Sequence, residues 1–256
     1  AYFQKGTQRD ALDPATAPRN KGLSRSGFEG LLTQLRNWIA TLKPADTNPS
    51  LWGDYAEANS YADKETKAKG EVVQAFVASK NPSLLLDLGC NSGHYSELAI
   101  KAGAQTAVGF DFDQTSLDKA FQRAADRDLH LVPLFLDAAN PSPSQGWAES
   151  ERDGFSMRMR GDCVIALAFI HHLAIGKNIP LQQAVSWIVD RAKSGLIEFV
   201  PKSDPTVQAM LKYREDIFPD YTPEAFRTCL SNCARIVASS EVSGTGRTIY
   251  EYTRNA

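Results

Sequence analysis

The sequence has no apolar run long enough to anchor a protein in a membrane. No stretch approaches the roughly 20 apolar residues that a helix needs to span a bilayer, and the N-terminal residues lack the apolar core of a signal peptide. We therefore expect no membrane partner and a cytoplasmic protein. The 43% hydrophobic and 23% charged residues are typical of a globular chain, and 256 residues are enough for one main domain.

An excess of charge of either sign is also absent. The 28 Lys and Arg residues nearly balance the 30 Asp and Glu residues, which leaves a net charge of -2. A dedicated nucleic-acid-binding protein needs clustered basic residues that displace counterions from phosphates. The balance of charge therefore argues against a nucleic-acid partner and favours a small molecule or a protein as the substrate.

Cysteine is scarce, and its spacing is informative. Cys90, Cys163, Cys229 and Cys233 match neither a zinc ribbon nor a disulfide framework. Cys229 and Cys233 lie four residues apart on a predicted helix, which would place two metal ligands on one face, but no nearby His or Cys completes a set. We therefore predict that these two are buried thiols and that the protein has no metal site.

Residues 1–50 are expected to form an N-terminal arm and an amphipathic helix, either as a lid or as the remnant of a longer N-terminal region. Residues 7–26 are polar and have no hydrophobic period that could bury them. From Phe28 onward, apolar residues recur at helical spacing. Ser26 and Glu29 form a capping-box signature, which predicts that the helix begins there.

Residues 51–256 alternate between strand and helix signals, after a helical stretch that ends at Asn81 and Pro82. This alternation is typical of a parallel sheet with helices on both faces. Five parallel strands are predicted, at Leu84–Leu88, Thr106–Phe110, His130–Leu136, Asp162–Phe169 and Gly195–Val200. Helices are predicted at about 93–102, 116–125, 181–192, 204–214 and 223–231.

The last two strand signals differ from the others. Residues 235–242 and 247–252 alternate around a Ser-Gly-Thr-Gly turn, which predicts an antiparallel hairpin. The predicted fold class is therefore α/β, with a doubly wound, mostly parallel seven-stranded sheet that ends in a C-terminal antiparallel hairpin. A hairpin at this position is characteristic of methyltransferases rather than of dehydrogenases.

The segment LLLDLGCNSGHYSELA, residues 84–99, carries the functional argument. A buried strand runs into Asp87 and is followed by a turn with Gly89, Asn91 and Gly93 and then by a helix. Glycines in such a turn let backbone amides approach a ligand without an intervening side chain. The pattern resembles motif I of class I S-adenosylmethionine (SAM)-dependent methyltransferases. It differs from the G-x-G-x-x-G dinucleotide fingerprint, which disfavours a nicotinamide-dependent oxidoreductase.

The resemblance implies a Rossmann-like methyltransferase domain at 51–256, with SAM as cofactor and S-adenosylhomocysteine (SAH) as product. Asp111 ends the second strand, where ribose-binding folds place an acidic residue that accepts both ribose hydroxyls. Asp137 and Ala138 follow the third strand, where the family reads the adenine edge, and Phe112 would flank the adenine face. The implied cofactor-binding residues are Asp87, Gly89, Cys90, Asn91, Gly93, Asp111, Phe112, Asp137, Ala138 and Ala168.

The methyl acceptor is expected beyond the fourth and fifth strands, because open parallel sheets bind ligands at the carboxyl ends of their strands. His171 and His172 follow the fourth strand, and Glu198, Lys202 and Asp204 lie at the end of the fifth. Histidine is suited to remove a proton near neutral pH. We predict His171, His172 and Glu198 as catalytic residues. Two alternatives stay open: the histidines serve packing at a helix start, and Glu198 forms a buried salt bridge.

Several acceptor chemistries are disfavoured because their motifs are missing. No Asn-Pro-Pro-aromatic motif follows the fourth strand, and no Pro-Cys nucleophile for cytosine is present. The Lys-Asp-Lys-Glu set of ribose methyltransferases fails because Asp162 lies at the wrong end of its strand. The acceptor is therefore expected to be an oxygen or nitrogen of a small molecule, a glycan-like metabolite or a protein. The alternative is a catalytically inactive SAM-binding module that serves a larger assembly.

Four segments also resemble a NoeA-like group of bacterial methyltransferases. The loop around Trp147 is expected to cover the cofactor-binding edge or to be a surface loop held by packing of Trp147. Trp52, Tyr55 and Tyr61 are candidates either for an N-terminal lid over SAM or for ordinary packing aromatics. The four segments that carry the resemblance are 141–152, 166–175, 197–205 and 214–226.

Overall fold

The computed structural model describes residues 23–42 and 60–255, the first four of the second range by their backbone only. The chain divides between Thr47 and Asn48 into two units, each described by itself. The arm before residue 23 and the aromatic residues Trp52 and Tyr55 lie outside the described residues, as does the side chain of Tyr61.

The first unit contains the predicted helix, α1, at Arg25–Thr41. Its N-cap is Ser24, whose hydroxyl accepts a hydrogen bond from the Gly27 N–H at 3.1 Å. The predicted cap at Ser26 is wrong, because Glu29 pairs with Arg25 at 2.8 Å and so does not form the reciprocal bond of a capping box. The helix therefore begins two residues earlier than the signature indicates.

The second unit alternates strands and helices, as predicted. The strands are β1 Leu84–Leu88, β2 Thr106–Asp111, β3 Leu131–Phe135, β4 Gly161–Ala166, β5 Ala192–Phe199, β6 Ala234–Glu241 and β7 Thr248–Arg254. The helices are α2 Ser60–Lys80, α3 His94–Lys101, α4 Gln114–Asp126, α5 Phe155–Arg158, α6 Leu181–Val189, α7 Pro205–Leu211 and α8 Pro223–Cys233. Within the two described ranges, no helix is both long and apolar enough to cross a membrane.

The seven strands form one sheet in the order β3-β2-β1-β4-β5-β7-β6. The first five strands of the sheet are parallel, whereas β7 is antiparallel to both β5 and β6. This arrangement confirms the predicted fold class. The strand order reverses between β1 and β4, which is the point where open α/β sheets bind their ligands.

Both faces of the sheet are covered, because neighbouring residues of β1 belong to different clusters. Leu86 and Leu88 lie in a core with residues of α6 and α8, whereas Leu85 lies in a core with residues of α2 and α3. Asp87 follows the same alternation and therefore faces α3. Strands buried on both faces are expected to be continuously apolar, as β1 is apart from this one carboxylate.

Several predicted boundaries differ from the structure, among them the end of the fourth strand and the end of the helix that follows it. The fourth strand ends at Ala166 instead of Phe169, because Ala168 adopts a left-handed φ of +47° that interrupts the extended chain. The chain then winds into a π-helical turn at His172–Gly176. The helix predicted to reach residue 192 ends at Val189, and β5 begins at Ala192.

Candidate cofactor and acceptor site

A cavity of about 380 Å³ opens at the carboxyl ends of β1, β2 and β4. Its volume lies within the range of small-molecule sites. Thirteen residues were predicted to take part in the site, and the structure brings nine of them to the cavity wall. These nine are Gly89, Asn91, Asp111, Phe112, Asp137, Ala138, Ala168, His171 and His172. The other four, which do not line the cavity, are Asp87, Cys90, Gly93 and Glu198.

The loop after β1 turns sharply at Gly89, whose φ is +80°. The backbone N–H groups of Gly89 and Cys90 both donate to the carbonyl of Phe110, at 2.8 and 3.0 Å. A Cβ added at Gly89 would lie 2.8 Å from Cδ2 of Phe169, so a side chain there would collide with the turn after β4. Glycine is therefore required both by the backbone conformation and by the close approach of the two loops.

Asp111 connects the glycine loop to the end of β2. Its Oδ2 accepts the Asn91 N–H at 2.8 Å, and its Oδ1 accepts the Asp113 N–H at 2.9 Å. Burial raises the pKa of Asp111, although these backbone hydrogen bonds act in the opposite direction. A carboxylate has about four lone-pair sites. Asp111 can therefore hold the loop and still accept hydrogen bonds from a ligand in the cavity.

Asp87 supports the glycine loop from inside the protein. Its carboxylate is buried and accepts a 2.6 Å hydrogen bond from the Ser96 hydroxyl on α3. Burial, together with a smaller contribution from the nearby Asp111 carboxylate, raises the pKa of Asp87 to about 7. Strand alternation turns the Asp87 side chain towards α3, so it does not line the cavity, and its role in binding the cofactor stays a prediction.

Cys90 and Gly93 also shape the loop without lining the cavity. The Cys90 thiol is buried against Gly109 of β2, where an added Cβ would come within 2.9 Å of its sulfur. Burial raises the pKa of this thiol. Gly93 caps α3 with a φ of +74°. Neither residue lines the cavity, and their contact with a cofactor stays a prediction.

Residues that follow β2 and β3 also line the cavity. Asp137 lines the cavity beside Ala138, and its Oδ1 accepts the Ala139 N–H at 3.0 Å. Phe112 is largely exposed and lines the same end. The assignment of these residues to an adenine edge stays a prediction.

His171 and His172 lie at the other end of the cavity. His171 is only 1% exposed, and neither ring nitrogen has a hydrogen-bond partner among the described residues. The two rings lie 4.2 Å apart, centroid to centroid. Burial holds the pKa of His171 well below its usual value, with His172 and Arg247 adding to the effect, and burial lowers the pKa of His172 to about 4. Both imidazoles are therefore neutral at pH 7.

Glu198 lies behind the cavity wall, contrary to the predicted contact with the acceptor. Its side chain is fully buried, and its Oε1 lies 2.8 Å from the Lys69 ammonium. A buried carboxylate without a partner costs several kcal/mol, so the ion pair is the physical reason for its position. Of the two alternatives that the sequence left open, the structure shows the buried salt bridge.

Lys202 and Asp204 were also predicted near the acceptor, and neither lines the cavity. The Lys202 ammonium binds Asp216 at 2.7 Å and the carbonyl of Phe218 at 2.6 Å. Asp204 caps α7 and binds Arg247 through two hydrogen bonds of 2.7 and 2.9 Å. Burial alone would raise the pKa of Asp204, but the hydrogen bonds, that of Arg247 foremost, lower it to about 2.

Sequence reasoning missed several residues of the acceptor end. Arg247, which precedes β7, reaches the cavity because β7 pairs with β5 in antiparallel register. Its partners are Asp204 and, at 3.2 Å, Glu65. No local motif marks these positions, since their approach depends on the sheet order. The other missed lining residues at this end are Leu173, Gly176, Lys177, Thr206 and Met210.

The part of the loop around Trp147, residues 141–152, does not line this cavity. Trp147 is 85% exposed, so the predicted packing of its ring is wrong. The loop is instead held by a short backbone bridge between Gln145 and Arg152. Cys229 and Cys233 are half-buried rather than buried. In the described part of the chain, no cluster of three or more His, Cys, Asp or Glu residues could hold a metal ion.

Comparison with known proteins adds sequence relatives. No protein-family model matches the chain. Over 237 residues, the chain is 48% identical to nodulation protein NoeA of Rhizobium meliloti strain 1021, which corresponds to 93% of this chain and 50% of NoeA. The chain spans half or less of the length of the curated relatives that it matches.

Solved structures give the fold. NodS of Bradyrhizobium japonicum WM9, an N-methyltransferase crystallised with SAH, has a TM-score of 0.56 at 14% identity, over 83% of this chain and 94% of NodS. ChlM of Synechocystis PCC 6803, a magnesium protoporphyrin IX methyltransferase with bound SAM, has a TM-score of 0.54 at 20% identity, over 87% and 96% of the two chains. The chain is therefore a relative of NoeA and has the fold of the class I SAM-dependent methyltransferases.

Proposed function

We propose that this chain transfers a methyl group from SAM to an oxygen or nitrogen of a small molecule, a glycan-like metabolite or a protein. The observation that carries the proposal is that Asp111, Asp137 and His171 line one cavity. The two aspartates lie where a nucleoside is expected, and an unpartnered imidazole lies at the far end. NodS and ChlM, which share the fold, were crystallised with SAH and SAM.

The donor end fits the chemistry of a nucleoside. Asp111 is held in place by two backbone N–H groups and retains acceptor capacity for ribose hydroxyls. Asp137 and the backbone after it would bind the adenine edge, with Phe112 against the ring. The glycine loop would lie against the rest of the molecule, since no side chain at Gly89 blocks the approach.

At the acceptor end, the residues of the chain align the nucleophile and receive its proton. SAM, when bound, supplies a methyl group on a positively charged sulfur, which departs as a neutral thioether. A neutral His171 can accept a hydrogen bond from a hydroxyl or amine through its free ring nitrogen and take the proton as the new bond to carbon forms. His172, whose ring contacts that of His171, would hold the imidazole in place.

Isothermal titration with SAM and SAH tests the donor site without knowledge of the acceptor. We expect both ligands to bind and NAD, the control ligand, to give no heat of binding. Absence of binding of SAM and SAH at high micromolar concentration would rule the proposal out. Incubation with methyl-labelled SAM and fractionated metabolite or protein extract then identifies the acceptor from the labelled product, which an inactive SAM-binding module would not form.

A further inference from the structure

A buried ion pair joins α2 to β5 next to the cavity. The Lys69 ammonium lies 2.8 Å from Oε1 of Glu198 and 2.7 Å from Oε1 of Glu65. The side chains of Lys69 and Glu198 are 6% and 0% exposed. Arg247 faces the same oxygen of Glu198 at 3.7 Å. The Glu198 carboxylate is thus removed from water and lies beside two positively charged side chains, Lys69 of α2 and Arg247 before β7.

The second oxygen of Glu198 holds the turn after β4. Its Oε2 accepts the backbone N–H of Ala168 at 2.8 Å. Ala168 lines the cavity and has a left-handed φ of +47°, which an alanine adopts at a cost of about 1 kcal/mol or more. Such a conformation persists only where surrounding contacts enforce it. The hydrogen bond from Ala168 to Glu198 is such a contact.

The same turn meets the glycine loop. Phe169 follows Ala168, and its ring lies close to Gly89. A Cβ added at Gly89 would be 2.8 Å from Cδ2 of this ring. Two residues later the chain reaches His171. A shift of the turn would therefore move the wall of the donor site and the start of the acceptor end together.

We infer that Glu198 is a positioning residue, which sets the shape of the methyl-donor site by fixing the backbone of Ala168. This inference rests on the proposed function. Stability alone does not account for the pair, because a buried ion pair can often be replaced by apolar residues of similar volume without loss. What an apolar residue cannot replace is the acceptor for the Ala168 N–H. Lys69 pairs with the other oxygen of the same carboxylate.

Two double variants separate the hydrogen bond from the ion pair. In both, Lys69→Met removes the ammonium. Glu198→Gln then keeps an oxygen for the Ala168 N–H, whereas Glu198→Met has a similar size and no acceptor. Because each double variant loses one positive and one negative charge, the two differ from each other only in the acceptor at position 198.

SAH affinity, measured by isothermal titration, is the first readout. We expect Lys69→Met/Glu198→Gln to bind SAH much as the unmodified chain does, and Lys69→Met/Glu198→Met to bind about tenfold more weakly, the effect of one lost hydrogen bond. Thermal unfolding serves as the control for stability. A role in stability alone would lower the unfolding temperature and leave the SAH affinity of the two variants equal, which would overturn the inference.

Amide hydrogen exchange at residues 167–169 is the second readout, and it needs no ligand. We expect slow exchange at Ala168 in the unmodified chain and in the Gln variant, and faster exchange in the Met variant. Fast exchange at Ala168 in the unmodified chain would overturn the inference even if both double variants failed to fold. If the unmodified chain does not bind SAH, the proposed function fails, and the exchange comparison still decides whether Glu198 holds the turn.

Discussion

The Asn91 N–H donates to the carboxylate of Asp111 at 2.8 Å, so the end of β2 fixes the loop that follows β1. Two segments that are 20 residues apart in the chain thereby form one wall of the cavity. The carboxylate has a double task, because it must organise the loop and also accept a ligand's hydroxyls. Removal of the Asp111 carboxylate is therefore expected to weaken ligand binding in two ways, through the loop and through the lost acceptor.

Asp111→Asn is therefore expected to weaken SAH binding. The amide can accept only through its oxygen, and its NH₂ group faces a backbone donor that the carboxylate now satisfies. Loss of a charge-assisted hydrogen bond of about 1.5–3 kcal/mol corresponds to roughly a tenfold to 150-fold increase in Kd. Isothermal titration measures it, with Asp118→Asn on the exposed face of α4 as the matched control. Equal Kd values for the two variants would contradict the prediction.

Gly89→Ala is expected to destabilise the fold and to abolish SAH binding. The added Cβ would meet the ring of Phe169 at 2.8 Å, at a backbone φ of +80°. Strain of this kind costs about 1–3 kcal/mol. Gly244→Ala in the β6–β7 turn is the control, because a Cβ there has nothing within 4 Å. Urea denaturation measures the free energy of unfolding of both variants. A similar loss of stability in the two variants would argue against strain at Gly89.

Asp87→Asn is expected to change how stability depends on pH. Folding raises the pKa of Asp87 from an ordinary 3.8 to about 7. Between these values the folded chain binds the proton more tightly than the unfolded chain, so this group lowers stability as pH rises, by up to about 1.4 kcal/mol per pH unit. The asparagine can still accept from Ser96 and carries no buried charge. Its stability relative to the unmodified chain should therefore increase from pH 5 to pH 8.

Urea denaturation of both proteins at pH 5 and pH 8 measures this difference, in which the contributions of all other titrating groups cancel. The exceptions are the groups that interact electrostatically with Asp87, whose own titration the substitution can alter. They are Asp111, Cys90 and Tyr95. Asp118→Asn serves again as the exposed control. A stability difference that is the same at pH 5 and pH 8 would show that Asp87 does not carry a raised pKa.

His171→Asn is expected to reduce methyl transfer and to leave SAH affinity unchanged. The His171 ring lines the cavity and makes no hydrogen bond within the described protein. Its replacement therefore leaves no other polar group without a hydrogen-bond partner. General-base catalysis typically contributes about 10²–10⁴-fold. Transfer from labelled SAM to the identified acceptor measures the effect, with His130→Asn as the exposed control. Unchanged transfer would assign His171 to packing, the alternative that the sequence left open.

The predicted strand β1 and the turn that follows it agree with the structure because their signals are local. Four leucines around Asp87, followed by Gly89, define the strand, and the spacing of Gly89 and Gly93 defines the turn. The end of β4 was predicted three residues too late. Its apolar pattern continues through Phe169, but the strand is interrupted by the left-handed φ of Ala168, whose N–H binds Glu198. That contact spans 30 residues and leaves no local trace in the sequence.

By itself, the sequence determined the order of strands and helices, the sheet class and the loop that identifies the donor end, because periodicity and turn chemistry act over a few residues. Tertiary structure decided which side chains face the cavity. Strand alternation turned Asp87 inward, the β5–β7 register brought Arg247 to the acceptor end, and Lys69 bound Glu198 behind the wall. These placements depend on contacts between distant segments, where the cost of burying a charge selects its partner.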